Sequence, residues 1–235
     1  MQFQIHTRET APEGSRATLE ATAKKYGFLP NIYGVLAESP TVVQAYAAIN
    51  KTLEQSALTP MEQHVVTLTG SATNDCAYCM GAHSVVAQMV RMPEDMLAAL
   101  REQRPLLDHK LNALRALVLS ILRHRGWVPE ADLAHVVPAG YTQRHVLEVL
   151  TIVVLKTLSN YVNHIAHTPL DPQFASQAWS ATGNVLPNYG ASCQTCVTIP
   201  VGPLHDHRLI KSDNCKLPHS GWAVRKVRCD DTIES

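Results

Sequence analysis

The chain has 235 residues, of which 46% are hydrophobic and 17% charged, and this balance excludes an intrinsically disordered protein. Lysine plus arginine and aspartate plus glutamate each number 20, so the chain lacks the basic surplus that a nucleic-acid partner favours. No apolar run reaches the roughly 18 residues that span a bilayer, and residues 1–16 lack a secretory core. We therefore expect a cytoplasmic protein without membrane contact.

Four predicted helices fill the first part of the chain. They cover Ser15–Tyr26, Ile32–Glu38, Thr41–Leu53 and a segment that begins at Thr59-Pro60. Gly27 ends the first of them, and Ser39-Pro40 separates the second from the third. Thr59 can cap the fourth helix while Pro60 occupies its first position, so the start of this helix is the best defined.

A second group of helical segments follows the break at Asn74-Asp75, where both side chains compete with the backbone and favour caps. These segments are Cys76–Val90, a start at Met92-Pro93, Leu106–His124, Pro129–Val137 and Thr142–Ala166. Leu106–His124 is strongly amphipathic, with leucine, valine and isoleucine at helical spacing. Because no segment shows credible strand periodicity, we predict an all-α domain in which four or five long helices form a bundle.

The character of the sequence changes at about Leu186. We divide the chain into a helical domain, residues 1–185, and an irregular tail, residues 186–235, rich in proline, glycine, cysteine and histidine. The tail is either a small zinc-binding module or a poorly ordered extension, and the absence of a second tight ligand pair favours the extension. The residues concerned are Cys193, Cys196, Cys215, Cys229, His205, His207 and His219.

The segment that points most specifically to chemistry runs from Asp75 to His83 and contains a C-x-x-C pair, Cys76 and Cys79. Two thiols at this spacing can close a disulfide, and a helix start at Cys76 would lower thiol pKa values nearby through its free N–H groups and dipole. His83 lies one helical turn after Cys79, on the same face. There an imidazole can take a proton from the thiol or deliver one to a leaving oxygen.

Two simpler interpretations of the pair are less favoured. A structural zinc site requires four ligands, and the helical domain offers no second C-x-x-C. Buried cysteines can also be inert core residues, but two of them with a histidine at this spacing argue against that. In a cytosolic protein the pattern predicts a redox-active pair, so we expect neither a metal nor another cofactor.

The sequence around the cysteines resembles the alkylhydroperoxidase D-like (AhpD-like), or carboxymuconolactone decarboxylase-like, family. The resemblance rests on residues 58–64, 74–84 and 160–164, and it covers roughly residues 15–175. It implies an AhpD-like multi-helix bundle that assembles as a homotrimer or hexamer. The family also includes a lactone decarboxylase without the cysteine pair, so the presence of Cys76 and Cys79 favours the peroxidase branch.

The resemblance implies a role for each residue of the motif. Cys79 would be the peroxidatic thiol, Cys76 the resolving thiol that faces the reductant, and His83 the motif histidine. The implied substrate is an organic hydroperoxide or hydrogen peroxide. The implied electron donor is a dithiol of the lipoyl or thioredoxin-like type, and no metal, flavin or haem is required.

The family's proton relay is altered in this sequence. Its usual glutamate, twelve positions before the first cysteine, is replaced by His64, and Glu62 should face elsewhere on the helix. Either His64 serves in the relay or the relay runs through His83 and water. His164 either approaches the site or bonds a carbonyl at its helix end.

We therefore predict a thiol-dependent peroxidase with Cys79, Cys76, His83 and His64 as its catalytic residues. One alternative is a redox sensor or scaffold without significant turnover. The other is a decarboxylase-like lyase in which His64 or His83 acts as the base.

Overall fold

The computed structural model describes residues 2–181, so the predicted tail, with its cysteines and histidines, lies outside the described residues. Within this range the chain is helical and has no strand, which confirms the predicted fold class. The helices are α1 (Glu13–Tyr26), α2 (Asn31–Leu36), α3 (Pro40–Leu53), α4 (Pro60–Thr73), α5 (Ala77–Met89), α6 (Glu94–Arg101), α7 (His109–His124), α8 (Glu130–Leu133) and α9 (Gln143–Ala166), followed by a 3₁₀ helix (Pro172–Gln177).

Local capping explains where the helices begin. The predicted start at Thr59 is confirmed by a capping box, in which the Thr59 hydroxyl accepts from the Glu62 N–H and the Glu62 carboxylate accepts from the Thr59 N–H. Helix α7 begins at His109, three residues later than predicted, because the Asp108 carboxylate accepts from the Leu111 N–H at 2.8 Å. The helix predicted after Pro129 is shorter than expected and ends at Leu133.

Helices α4 and α9 form the centre of the bundle. Helix α4 packs against α5, α6, α7 and α9, and α9 also contacts α2, α3 and α5. Val65, Val66 and Leu68 of α4 are fully buried. This packing brings one face of α9 against the turn between α4 and α5, where the cysteine pair lies.

Helix α9 is long and apolar enough, by length and composition alone, to cross a membrane. Its contacts with five other helices, and the buried polar residues Lys156, Asn160 and Asn163 along it, are those of the core helix of a soluble domain.

The segment after α9 folds back across α5. The Asp171 carboxylate accepts from the Asn31 N–H at 3.0 Å and from the Tyr78 hydroxyl at 2.6 Å. Arg101 donates to the Ser84 hydroxyl at 2.8 Å and to the Gln177 carbonyl at 3.2 Å. These bonds hold the first turn of α5 between α2 and the 3₁₀ helix.

Candidate active site

The cysteine pair lies where the chain reverses between α4 and α5. Asp75 adopts a left-handed conformation (φ 52°), and the Cys76 N–H then donates to the Ser71 carbonyl at 2.9 Å. Cys76 is the N-cap of α5, and Cys79 lies in the first turn. Both thiols are free, and they are 0% and 3% exposed.

A polar stripe on α9 covers the two sulfur atoms. The Asn163 amide nitrogen lies 3.3 Å from Cys79 Sγ and 3.9 Å from Cys76 Sγ, so one side chain donates toward both sulfurs. The Ser159 hydroxyl lies 3.9 Å from Cys79 Sγ. These donors favour negative charge on sulfur, because a hydrogen bond to the charged form stabilises it.

Lys156, on the same stripe, provides a buried positive charge. Its side chain is 2% exposed, and its Nζ lies 2.7 Å from His83 Nε2. A lysine ammonium has no acceptor, so Lys156 donates and His83 accepts. Burial opposes the charge of Lys156, but the negative Cys79 beside it outweighs this effect and holds the pKa of Lys156 above its usual value.

The two cysteines have opposite electrostatic roles. Burial raises the pKa of Cys79, but the hydrogen bond from the Cys76 thiol and the charge of Lys156 together lower it to about 5. The same hydrogen bond, together with burial, raises the pKa of Cys76. Cys79 is therefore the thiolate and Cys76 the protonated donor, and this asymmetry comes from side-chain partners more than from the helix start that the sequence indicated.

His83 does not occupy the position expected for a direct base. Among the described residues, the hydrogen-bond partners of Cys79 are Cys76, Ser159 and Asn163, and His83 Nε2 is occupied by Lys156. Burial and the charge of Lys156 hold the pKa of His83 well below its usual value, so the ring is neutral. The His83 ring therefore meets the thiolate only through Lys156.

His64 lies one step further from the sulfur. Its Nδ1 donates to the Pro60 carbonyl at 2.8 Å, and its ring packs edge-on against His83 with centroids 6.2 Å apart. Burial is the main cause that lowers the pKa of His64. The position that the family fills with a relay glutamate therefore faces the site in this chain, at second remove from Cys79.

The two remaining relay candidates lie away from the cysteines. Glu62 completes the capping box and forms an ion pair with Lys110 Nζ at 2.8 Å, so it faces elsewhere, as predicted. His164 is exposed and stacks on Tyr161 with ring centroids 6.5 Å apart. The structure thus brings Cys76, Cys79, His83 and His64 together and leaves His164 outside.

A cavity of about 280 Å³ leads to the thiolate. Its inner end contains Cys79, His83 and Lys156, and its walls are largely aromatic. The aromatic lining residues are Tyr26, Phe28, Tyr33, Tyr46, Tyr78 and Phe174. A larger groove of about 770 Å³, along α7, is lined by none of the cysteines. The volume of the aromatic cavity is at the small end for a ligand site and suits a small apolar molecule.

The accessibility of Cys76 differs from the expectation that it faces the reductant. Cys76 is 0% exposed and does not line the cavity, whereas Cys79 does. The difference arises because Cys76 is the N-cap residue at the closed turn between α4 and α5, with Asn163 over its sulfur. A small molecule in this cavity meets the Cys79 sulfur first.

The donor set does not suit a cation. Among residues 2–181 no group of three or more histidine, cysteine, aspartate or glutamate side chains comes together with metal-binding geometry. The buried ammonium of Lys156 beside Cys79 would also repel a divalent ion.

Sequence reasoning missed the α9 side of the site. Lys156, Ser159, Asn160 and Asn163 stand at positions i, i+3, i+4 and i+7 of an otherwise apolar helix. That spacing places them on one face, so a buried polar stripe could have been inferred from it. The sequence did not show which element this stripe meets.

Comparisons with known proteins agree with this architecture. A family profile described as the carboxymuconolactone decarboxylase family matches residues 40–105, which contain the cysteine pair. No curated protein matches the sequence.

Three similar solved structures share the fold. An alkylhydroperoxidase AhpD core, an uncharacterized peroxidase-related protein from Ralstonia eutropha JMP134, is 21% identical over 74% of this chain and 93% of that one, with a TM-score of 0.67. A peroxidase-related protein from Silicibacter sp. TM1040 is 18% identical over 75% and 94%, with a TM-score of 0.62. The debrominase Bmp8 in complex with 2,3,4-tribromopyrrole is 14% identical over 75% and 95%, with a TM-score of 0.62. The family match and these folds confirm the resemblance predicted from the sequence.

Proposed function

We propose that the chain is a thiol peroxidase in which Cys79 reduces a hydroperoxide and Cys76 closes a disulfide with it. The observation that supports this most strongly is a thiolate at the inner end of a cavity, hydrogen-bonded to a second, protonated thiol. The thiolate is the nucleophile in such chemistry, and the neighbouring thiol is placed to resolve the product. The peroxidase-related names of two proteins with this fold point in the same direction.

The proposed cycle has three steps. The Cys79 thiolate attacks the terminal oxygen of ROOH, the O–O bond breaks, and the alkoxide leaves as ROH once it gains a proton. The resulting sulfenic acid condenses with the Cys76 thiol, forming the disulfide and releasing water. An external dithiol then reduces the disulfide by exchange and is itself oxidised.

The position of Cys76 constrains the reductant. Because only Cys79 of the pair lines the cavity, the incoming thiolate attacks the Cys79 sulfur and displaces Cys76. A slender dithiol arm of the lipoyl type fits this approach better than a thioredoxin-like domain, whose cysteines would have to reach into an aromatic-walled cavity. We place this reaction in the cytoplasm, where such dithiols stay reduced.

A homotrimer or hexamer is part of the proposal. Helix α9 presents large apolar side chains to the outside at Leu147, Val154, Tyr161 and Ile165, each between 55% and 65% exposed. The first three stand at heptad spacing and form one stripe along the helix. A stripe of this kind is typical of a surface that another subunit covers.

The test is peroxide consumption with a regenerating dithiol, comparing the wild type with Cys76→Ser and Cys79→Ser. We expect turnover by the wild type, none by Cys79→Ser, and a single sulfenic acid, trapped on residue 79, in Cys76→Ser. Disulfide formation without turnover would indicate a redox sensor instead. Activity that survives alkylation of both thiols would indicate a lyase.

A second candidate is dithiol-dependent removal of halogen from a small aromatic compound. The aromatic walls of the cavity favour it, and the debrominase with bound tribromopyrrole has a similar fold. Two thiols would supply the two electrons, yielding the dehalogenated ring, halide and a disulfide. Bromide release from tribromopyrrole, measured with the same dithiol and the same variants, distinguishes this reaction from peroxide reduction.

A further inference from the structure

Lys156 is a buried cation whose charge has one close anionic partner. Of the described residues that line the aromatic cavity or the smaller cavity of about 130 Å³ behind His83, Glu54 is the sole carboxylate. Glu54 is 57% exposed and forms an ion pair with Lys25. An isolated buried charge is costly, so Lys156 requires a counter-ion, and the Cys79 thiolate is the group in place to provide it.

We propose that Lys156 is the catalytic acid of this site: its ammonium pairs with the Cys79 thiolate and donates a proton to the alkoxide that leaves the hydroperoxide. This inference deepens the proposed peroxidase function and rests on it. The geometry carries the assignment, since Lys156 and Cys79 share the inner end of the cavity where the O–O bond must lie. A proton donor at that point acts on the leaving oxygen as its charge develops.

The protons of the cycle balance without exchange with solvent. In the first step the thiolate, ROOH and the ammonium give a sulfenic acid, ROH and a neutral lysine amine. The amine then takes the Cys76 proton and returns it to the departing hydroxide as water, while the disulfide forms. Reduction by a dithiol leaves two thiols, and Cys79 passes its proton back to Lys156, which restores the ion pair.

The other titratable groups facing Lys156 are less suited to this role. They are Tyr46 of α3, His64 of α4, and Cys76 and His83 of α5. The His83 nitrogen nearest the site already accepts a hydrogen bond from Lys156, and the Nδ1–H of His64 is held by the Pro60 carbonyl. His83 is therefore a positioning residue that holds the ammonium in place, and His64 supports His83.

Two substitutions separate charge from proton donation. Lys156→Arg keeps a positive charge beside Cys79, but a guanidinium does not release its proton. Lys156→Met removes both the charge and the proton at similar length. Lys51→Met, the same change at an exposed position of α3, is the matched control.

The measurement compares two oxidants at pH 7. Peracetic acid releases acetate, a weak base that needs no proton, whereas tert-butyl hydroperoxide releases a strongly basic alkoxide. Loss of thiolate absorbance at 240 nm follows the first step, and each rate is divided by the thiolate fraction of that variant. We expect the tert-butyl hydroperoxide rate, relative to the peracetic acid rate, to fall ten-fold or more in both Lys156 variants and to stay unchanged in Lys51→Met.

The outcomes are distinct. If Lys156→Arg, or Lys156→Met where the arginine does not fit the fold, keeps the wild-type ratio, Lys156 is an electrostatic partner and not the acid, and the inference is overturned. A wild type that reacts with neither oxidant refutes the peroxidase function itself.

Discussion

The hydrogen bond from Cys76 to Cys79 can be removed without touching Lys156, and its loss should raise the pKa of Cys79 above its value of about 5. A hydrogen bond to a charged group contributes about 1.5–3 kcal/mol, and 1.36 kcal/mol corresponds to one pKa unit. Cys76→Ala should therefore move the Cys79 pKa up by about 1 to 2. Cys76→Ser, whose hydroxyl can still donate, should move it much less.

The predicted change is largest near pH 6. Because the pKa of Cys79 is lowered, the thiolate is present at neutral pH and is lost as the pH falls through about 5. At pH 6 the thiolate fraction should fall from about nine-tenths in the wild type to between a half and a tenth in Cys76→Ala, and at pH 8 it should hardly change. The initial rate of Cys79 oxidation should follow the same curve.

Absorbance at 240 nm between pH 4 and 10 measures this fraction. Cys79→Ser provides the baseline, since Cys193, Cys196, Cys215 and Cys229 also titrate in the full chain. If Cys76→Ala and the wild type give the same curve, the Cys76 thiol does not stabilise the thiolate, and Lys156 alone sets the pKa. A Cys76→Ser curve that matches Cys76→Ala would show that the hydrogen bond is not the cause.

Three further predictions concern assembly, the tail and His64. Leu147→Glu combined with Val154→Glu should convert the oligomer to a monomer in light scattering, and a wild type that is already monomeric at micromolar concentration refutes the assembly. Truncation after residue 185 should preserve helical circular dichroism and peroxide turnover, and a loss of either would show that the tail is part of the fold or site. His64→Gln should slow peroxide attack less than three-fold between pH 5 and 9, because His64 meets the thiolate only through His83 and Lys156; a loss of ten-fold or more, partly restored by His64→Glu, would support the relay that the family resemblance implied.

The helices were predictable wherever a local signal marks their ends. Thr59-Pro60 and Gly27 set the limits of two helices through capping and a left-handed residue, which depend on neighbours in sequence alone. The start of α7 was misplaced because the apolar residue Leu106 was included in the amphipathic pattern. Asp108 ends that pattern, since its carboxylate can satisfy the N–H of Leu111 only if the helix begins after it.

The candidate site was predictable on the helix that carries its motif. The spacing of Cys76, Cys79 and His83 placed them on one turn of chain, and the structure keeps them there. What the spacing could not give is the partner surface, because helix packing depends on contacts between residues far apart in sequence. Lys156 is separated from His83 by 73 positions, yet it takes the hydrogen bond that the sequence assigned to the thiol.

The ion pair between Lys156 and Cys79 also sets the redox behaviour of the disulfide, since it exists only in the reduced state. Stabilising the reduced state makes a disulfide more oxidising and easier to reduce. Lowering a thiol pKa from about 8.5 to about 5 favours the reduced state at pH 7 by roughly 60 mV. Lys156→Met should therefore lower the reduction potential of the pair by tens of millivolts, measured by equilibration with a glutathione redox buffer. An unchanged potential would mean that the charge of Lys156 is neutralised by another group, and Cys79 would then lose its main claim to be the thiolate.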